Sequence, residues 1–201
     1  MQVDGLDGER VEPMSAASER AERRMSVAEF LAYDDGTATR YELVDGQLVA
    51  MNPPAARHAD ICENLGRILD RQIPAPCRVY RTQLGVARSE SDHSWREPDL
   101  MVTCHPPVHA YYAAPWLVIE VLSPSTERED RTTKLDFYES FPSLEAVLLV
   151  WQDDRRVRLR ERQGDGWREH DLVGSGLVRV AGLGVELDLD EIYRDPWAET
   201  T

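Results

Sequence analysis

The chain has 201 residues, of which 42% are hydrophobic and 30% are charged, and its formal net charge is −14. This length suits one domain that buries its core without staples and leaves little room for a second full domain. No window approaches the roughly 18 consecutive apolar residues of a membrane helix, so a soluble protein without membrane association is expected. The acidity argues against broad electrostatic capture of DNA, because Lys and Arg supply most non-specific affinity for phosphates.

The two ends and the cysteines set further expectations. Residues 1–24 are polar, charged and aperiodic, which predicts a disordered leader; one domain is expected over residues 25–195, with a short tail over residues 196–201. The first residues lack a basic and apolar secretory signal, so the cytoplasm is the expected location. Cys62, Cys77 and Cys104 are odd in number and form no CxxC pair, which favours buried thiols over a disulfide or a zinc knuckle.

The first predicted elements carry clear local signals. Ser26 and Glu29 form a capping box before a short helix that should run to about Ala32. Asp45-Gly46 lies between two apolar runs, which predicts a tight β-hairpin. Apolar residues recur at helical spacing over residues 56–72, which predicts an amphipathic helix packed on a sheet.

The rest of the chain alternates strands and helices. Segments 77–87, 97–104 and 115–123 are rich in Val, Leu and Ile, and the third is almost wholly apolar before Glu120, which is typical of a central strand. A helix is predicted over residues 126–140, and the following strands, separated by polar turns, form a C-terminal β-meander. The predicted strands of this meander are residues 145–151, 157–163 and 167–173. A short helical turn is predicted over residues 190–193.

Two carboxylates require a chemical explanation. Glu120 ends an apolar run and Asp99 follows Pro98 directly ahead of another, and an unpaired buried charge is costly. If the two strands are neighbours, the carboxylates converge and repel unless a cation lies between them, which favours a hard divalent metal. The alternatives are a turn cap at Asp99 and an arginine partner for Glu120. Glycoside hydrolysis also uses paired carboxylates, but no aromatic sugar platform accompanies them.

Several segments together resemble a known family. YELVDGQLVAM, the following helix with His58, EPDLMV, and VIEVLSPSTERED with RTTKLDFYES resemble the Uma2 family of bacterial proteins over about residues 26–193. The resemblance implies an α/β fold of the restriction-endonuclease-like PD-(D/E)XK type, with a central mixed β-sheet flanked by helices. It also implies that Asp99 and Glu120 ligate Mg²⁺ or Mn²⁺.

The resemblance assigns further residues and departs from the usual motif. Glu120-Val121-Leu122 lacks the expected lysine two residues after the acid, and Lys134 on the next helix occupies that role. The alternative for Lys134 is an exposed ion pair with Asp130, four residues earlier. Glu42 matches an acid that the family pattern places near the metal; its alternative is a solvent-facing strand residue.

Other candidates are substrate contacts. His58 opens a helix and either contacts a phosphate or orients water, or is simply polar surface. Ser123 follows Glu120 closely and either shapes the site or caps the next helix. Arg81 is a candidate phosphate contact, as are Arg88 and Arg96, although each equally suits neutralisation of nearby acids.

These residues favour one function and leave a rival open. The favoured function is a Mg²⁺- or Mn²⁺-dependent endonuclease acting on nucleic acid, with DNA as the expected substrate and a homodimer expected by analogy with enzymes of this fold. Asp99, Glu120, Lys134 and Glu42 would carry the chemistry. The rival is a non-catalytic binding or regulatory protein that keeps the fold, which the missing E-x-K lysine and the acidity favour.

Overall fold

The computed structural model of the protein describes residues 24–81, 84–108, 111–112, 114–123, 133–195 and 197–198. The predicted leader therefore lies outside the described residues except for residue 24, as does most of the predicted tail. The division into a leader, one domain and a tail stays a prediction. Within the described residues, no helix is long and apolar enough to cross a membrane.

The helices within the described residues are α1 (Val27–Leu31), α2 (Ala56–Gln72), α3 (Leu135–Glu139) and α4 (Leu189–Ile192), with a 3₁₀ turn at Ala181–Leu183. The strands are β1 (Tyr41–Val44), β2 (Gln47–Ala50), β3 (Arg78–Arg81), β4 (Gly85–Val86), β5 (Leu100–Thr103), β6 (Tyr111–Tyr112), β7 (Leu117–Leu122), β8 (Ala146–Trp151), β9 (Arg156–Gln163), β10 (Gly166–Val173), β11 (Leu177–Val180) and β12 (Val185–Asp188).

The main sheet has six strands in the order β10-β9-β8-β7-β5-β3. Its central pair β7 and β8 is parallel, and the other neighbours are antiparallel, so the sheet is mixed. The parallel pair requires a crossover, and α3 lies in that connection. In the described part of the chain, three two-stranded sheets accompany the main sheet: β1-β2, β4-β6 and β11-β12. The α/β fold with a central mixed sheet is confirmed.

The central strand β7 is buried on both faces. All six of its residues are buried, as the apolar run predicted. Because successive side chains point to opposite faces, Ile119 packs in the cluster that contains residues of α2, whereas Val118 packs in the cluster that contains residues of α3. The two helices therefore cover opposite faces of the sheet near β7. This position matters for the site, because side chains from both helices reach the end of β7.

The N-terminal elements form as their local signals predict. Ser26 and Glu29 make the reciprocal capping box at the start of α1. In the β1-β2 hairpin, Asp45 has φ 49° and Gly46 has φ 83°, the positive values that a tight hairpin turn of this type requires. Gly46 also receives a close approach from Arg24, whose Cβ would lie 2.5 Å from a Cβ added to the glycine. The hairpin register then places Glu42 and Leu43 on buried positions.

One prediction about the cysteines is wrong. Cys62 is a free buried cysteine, but Cys77 and Cys104 form a disulfide. The antiparallel register of β3 and β5 pairs Arg78 with Thr103, so the residues just outside this pair face each other across the two strands. Sequence spacing alone contains no trace of this register, which only the sheet creates.

The C-terminal half matches the predicted order with one difference. Strands β8, β9 and β10 form the predicted meander, and α4 is the predicted terminal helical turn. The hairpin β11-β12 was not predicted, and it packs on the α2 face of the core through Val178, Val185 and Leu187. Of the helix predicted over residues 126–140, α3 is the described part, and residues 124–132 lie outside the described residues.

Candidate active site

The site forms where β5 begins and β7 ends. Asp99 immediately precedes β5, and Glu120 lies in the second half of β7. The antiparallel register pairs Leu100 with Ile119, so Asp99 and Glu120 occupy the next pair of positions along the two strands. The expectation that the two strands are neighbours is therefore confirmed. Two acids that are 21 residues apart in sequence thus lie at one end of the central sheet.

Asp99 is held by contacts on both carboxylate oxygens. The backbone N–H of Val121 donates to Oδ2 at 2.7 Å, which ties Asp99 to the residue that follows Glu120. Nε2 of His58, from the first turn of α2, lies 3.1 Å from Oδ1. Both side chains keep some solvent access, with His58 16% and Asp99 19% exposed. His58 is therefore part of this site and not isolated polar surface.

Glu120 is a buried carboxylate with polar partners from α3. Its residue is only 3% exposed, so desolvation must be offset by hydrogen bonds or cations. The hydroxyl of Tyr138 donates to Oε1 at 2.6 Å, and Nζ of Lys134 donates to the same oxygen at 3.4 Å. Burial, followed by the charges of Glu120 and Glu42, raises the pKa of Tyr138 well above its usual value. Tyr138 therefore stays protonated and acts as a donor.

Lys134 lies between two buried carboxylates. It occupies the N-cap position of α3, and its Nζ is 3.4 Å from Oε1 of Glu42 and 3.4 Å from Oε1 of Glu120. The lysine side chain is only 12% exposed. An exposed helical ion pair therefore does not describe this lysine, and Asp130 lies outside the described residues. The structure places Lys134 beside Glu120, the acid that the expected motif lysine would follow in sequence.

Glu42 is buried, so the alternative of a solvent-facing strand residue does not hold. It is 4% exposed on β1 and accepts from Nη1 of Arg96 at 3.0 Å and from the backbone N–H of Glu97 at 2.9 Å. Arg96 is itself 1% exposed. The strand-like pairing of Leu43 with Trp95 brings β1 alongside this segment and fixes the contact. Glu42, Glu120 and Lys134 thus form one buried ionic group.

Three residues of this neighbourhood were missed by sequence reasoning. Glu97 pairs with Arg40, Tyr138 binds Glu120, and Cys62 lies beside His58 and Asp99. Two signals were available. Tyr138 follows Lys134 by four residues and Cys62 follows His58 by four, which is the spacing that places helical side chains on one face. Arg96 was predicted either to contact a phosphate or to neutralise nearby acids, and its contact with Glu42, 54 residues away in sequence, matches the second alternative.

The thiol of Cys62 lies close to both Asp99 and Glu120. Burial, then the charges of Asp99 and Glu120, raise the pKa of its thiol. Both carboxylates therefore lie within electrostatic range of the same sulfur atom. Ligand atoms of His58, Cys62 and Asp99 all lie within 4.8 Å of one another. The donors at this end of the sheet are thus carboxylate oxygens on one side, with an imidazole nitrogen and a sulfur on the other.

The remaining predicted contacts are less central. Arg81 pairs with Asp70 and lies 3.9 Å from Glu63, both on α2, so its described contacts match the acid-neutralising alternative. Arg88 pairs with Asp92 in the same way. Ser123 follows β7 directly and is partly buried. The segment after Ser123 lies outside the described residues, so the two alternatives for Ser123, shaping the site or capping the next helix, both stay predictions. A substrate contact by Arg81 also stays a prediction.

Removal of the Tyr138 hydroxyl tests how Glu120 is stabilised. We expect Tyr138→Phe to lower the free energy of unfolding by about 1.5–3 kcal/mol, because a buried carboxylate loses a charge-assisted donor. Urea denaturation followed by circular dichroism measures the change. Tyr41→Phe is the matched control, since its hydroxyl donates to the exposed Asp35, and a clearly smaller change is expected there. Equal losses in both variants would contradict a special role for Tyr138.

The fold and this end of the sheet define the class of protein: an α/β domain of the restriction-endonuclease-like type. The chain belongs to the Uma2 family, whose model, described as "Putative restriction endonuclease", matches residues 27–190.

The chain is also similar to two individual relatives and to one solved structure. The uncharacterized protein slr1290 of Synechocystis sp. is 28% identical over 176 residues, covering 85% of this chain and 92% of the relative. The uncharacterized protein sll1609 of the same organism is 30% identical over 161 residues, covering 75% and 88%. A crystal structure titled as a "putative nuclease belonging to DUF820" from Anabaena variabilis superposes with a TM-score of 0.65 at 18% identity, covering 84% of this chain and 97% of that one. That structure supports the fold.

Proposed function

We propose that this protein is a metal-dependent endonuclease that hydrolyses phosphodiester bonds of nucleic acid, with duplex DNA as its substrate. The observation that carries the proposal is the buried Lys134 amine, 3.4 Å from the carboxylates of both Glu42 and Glu120, at the strand ends where Asp99 also lies. A lysine and acids converging at the end of a central sheet are the groups that phosphodiester hydrolysis requires.

The amino-acid composition supports a functional role for Lys134. The chain contains 23 basic residues in Lys and Arg together, and Lys134 is the only lysine among them. Arginine thus serves every other position where a cation is used, including the buried partner of Glu42. A lysine differs from an arginine in having a compact ammonium whose pKa shifts readily in a protein interior. The single lysine of the chain lies beside Glu42 and Glu120, where its ammonium could contact the attacking water.

The donor chemistry of the site fits a hard divalent cation. Mg²⁺ and Mn²⁺ prefer carboxylate oxygens, and Asp99 and Glu120 would be the ligands, with Glu42 as an assisting acid. Such a cation would polarise the phosphate and lower the pKa of a bound water. The backbone N–H of Val121 holds the Asp99 carboxylate in place, and this type of outer hydrogen bond orients metal ligands in proteins.

The protein groups have separate tasks in the proposed reaction. A water oxygen adds to phosphorus and one P–O ester bond breaks, leaving a phosphate monoester and a free hydroxyl. Lys134 orients the water and offsets the negative charge that develops on the phosphate. Glu42 and Glu120 hold the lysine amine in position. His58, partly exposed at the start of α2, contacts a phosphate oxygen of the substrate.

The net charge of −14 shapes the expected substrate binding. A protein with this charge gains little from non-specific phosphate neutralisation, so we expect weak binding to arbitrary DNA and reliance on local contacts. We also propose a homodimer, because two copies of the site would cut both strands of a duplex.

A cleavage assay tests the proposed function. Plasmid and oligonucleotide duplexes are incubated with the protein and Mg²⁺, Mn²⁺ or EDTA. We expect cleavage with either metal and none with EDTA. In Glu120→Gln the rate should fall by at least about 10²-fold, because the carboxylate charge that would hold the cation is lost.

Asp136→Asn is the matched control, since it removes one carboxylate from an exposed position of α3. It should cleave at the wild-type rate. Cleavage that persists in EDTA or in Glu120→Gln would contradict the proposal. Binding of a duplex without any cleavage under all metal conditions would support the non-catalytic alternative instead.

A further inference from the structure

The side of the site that faces α2 carries a donor set unlike that of a magnesium site. His58 and Cys62 are four residues apart on α2, so they project from one face of the helix. Asp99 faces them, and the three ligand atoms all lie within 4.8 Å of one another. We propose that His58, Cys62 and Asp99 form a second cation site that takes Zn²⁺ or a similar borderline transition-metal ion.

The distances suit this assignment. A tetrahedral zinc ion with bonds of about 2.0–2.3 Å holds its ligand atoms roughly 3.3–3.8 Å apart. The distance of 3.1 Å between Nε2 of His58 and Oδ1 of Asp99 already lies near this range, and the 4.8 Å limit for the whole group leaves only small side-chain shifts. The Val121 N–H on the other oxygen of Asp99 fixes the orientation of that carboxylate.

The chemistry of the donors separates this set from the carboxylate pair. Imidazole and thiolate ligands favour zinc, whereas Mg²⁺ favours oxygen ligands. On binding, the Sγ–H bond of Cys62 breaks, the proton passes to solvent water, and the sulfur electron pair forms the bond to the metal. No oxidation or reduction is involved. Three protein ligands leave a fourth coordination position for water, since His58 and Asp99 both retain solvent access.

Regulation follows from the shared residue. Asp99 belongs both to this set and to the carboxylate pair proposed to hold Mg²⁺. Because Oδ2 of Asp99 already accepts from the Val121 N–H, the two cations would compete for Oδ1. Zinc is therefore expected to inhibit magnesium-supported cleavage. This consequence rests on the proposed nuclease function, whereas zinc binding itself does not.

Cobalt titration of the metal-free full-length chain tests the site directly, because Co²⁺ replaces zinc and reports its ligands by absorption. We expect one Co²⁺ per chain, a sulfur-to-cobalt charge-transfer band, and displacement of cobalt by Zn²⁺. Cys62→Ser should abolish that band and weaken metal binding by at least about tenfold. His58→Ala should weaken binding comparably while keeping the band at saturating cobalt.

The double variant Cys77→Ser and Cys104→Ser is the matched control, because these two cysteines form the disulfide. It should bind cobalt with the wild-type spectrum. Absence of the sulfur band in the wild-type chain, or an unchanged band in Cys62→Ser, would overturn the proposal. Circular dichroism of each variant confirms folding, and the His58→Ala result stands alone if Cys62→Ser does not fold.

Inhibition is measured separately from binding. For each variant, the zinc concentration that halves magnesium-supported cleavage is compared with that variant's own rate without zinc. We expect this concentration to rise at least about tenfold in Cys62→Ser. An equal concentration in both proteins would place the inhibition elsewhere and contradict the regulatory part. If no cleavage is detected in any protein, the nuclease proposal fails while the cobalt spectra still decide the zinc site.

Discussion

Replacing Lys134 by alanine should reduce metal-dependent cleavage by about 10²–10⁴-fold, because the reaction loses the cation that orients water and offsets charge on the phosphate. The effect is expected in kcat more than in KM, since Lys134 is buried between Glu42 and Glu120 and contributes little to initial binding of a duplex. Single-turnover cleavage of a labelled duplex measures the rate.

Lys134→Arg distinguishes the amine from its charge. Arginine keeps the positive charge, but its planar guanidinium is larger than the compact ammonium between Glu42 and Glu120, so a loss of at least about tenfold is expected. Lys134→Ala leaves two buried carboxylates with fewer partners, so urea denaturation must accompany the assay to separate catalysis from folding. Full activity in Lys134→Ala at wild-type metal dependence would refute the role assigned to the lysine.

Replacing Arg96 by methionine should have the largest effect on stability. Arg96 and Glu42 are 1% and 4% exposed and are joined by a 3.0 Å hydrogen bond. Without Arg96, the buried Glu42 carboxylate has to share the Lys134 ammonium with Glu120, and breaking a buried ion pair typically costs about 3–5 kcal/mol in the free energy of unfolding. Chemical denaturation of the purified variant measures the loss.

Two further variants sharpen this test. Arg67→Met removes an exposed arginine paired with Glu63 on α2, and a change below about 1 kcal/mol is expected. The double variant Glu42→Gln and Arg96→Met should recover part of the loss of Arg96→Met, since the side chain at position 42 is then uncharged and Lys134 pairs with Glu120 alone. A double variant that is less stable than Arg96→Met by the full cost of Glu42→Gln would show that the two residues act independently.

Much of the site could be predicted from the sequence. Glu120 ends an apolar run, which marks it as a buried carboxylate, and Asp99 directly precedes another apolar run. Lys134 and Glu42 follow from the family resemblance. His58 proved to contact Asp99, although its position at the start of a helix did not distinguish a functional residue from a surface one. Tyr138 and Cys62 were missed, because each interacts with a partner brought close only by the sheet.

The sequence by itself determined the local elements. The Asp45-Gly46 turn, the capping box of Ser26 and Glu29, and the helical period over residues 56–72 are signals between near neighbours, and each produced the element expected. These features depend on backbone conformations and short-range hydrogen bonds, which a few adjacent residues are enough to specify.

Only the tertiary structure decided which distant residues meet. The register of β3 against β5 joins Cys77 to Cys104, and the strand-like pairing of Leu43 with Trp95 brings Arg96 to Glu42. Such contacts depend on strand order and register, which are set by the packing of all apolar faces together and leave no mark in any short stretch of sequence. Local sequence signals identify several residues of the candidate site, and the sheet brings them together.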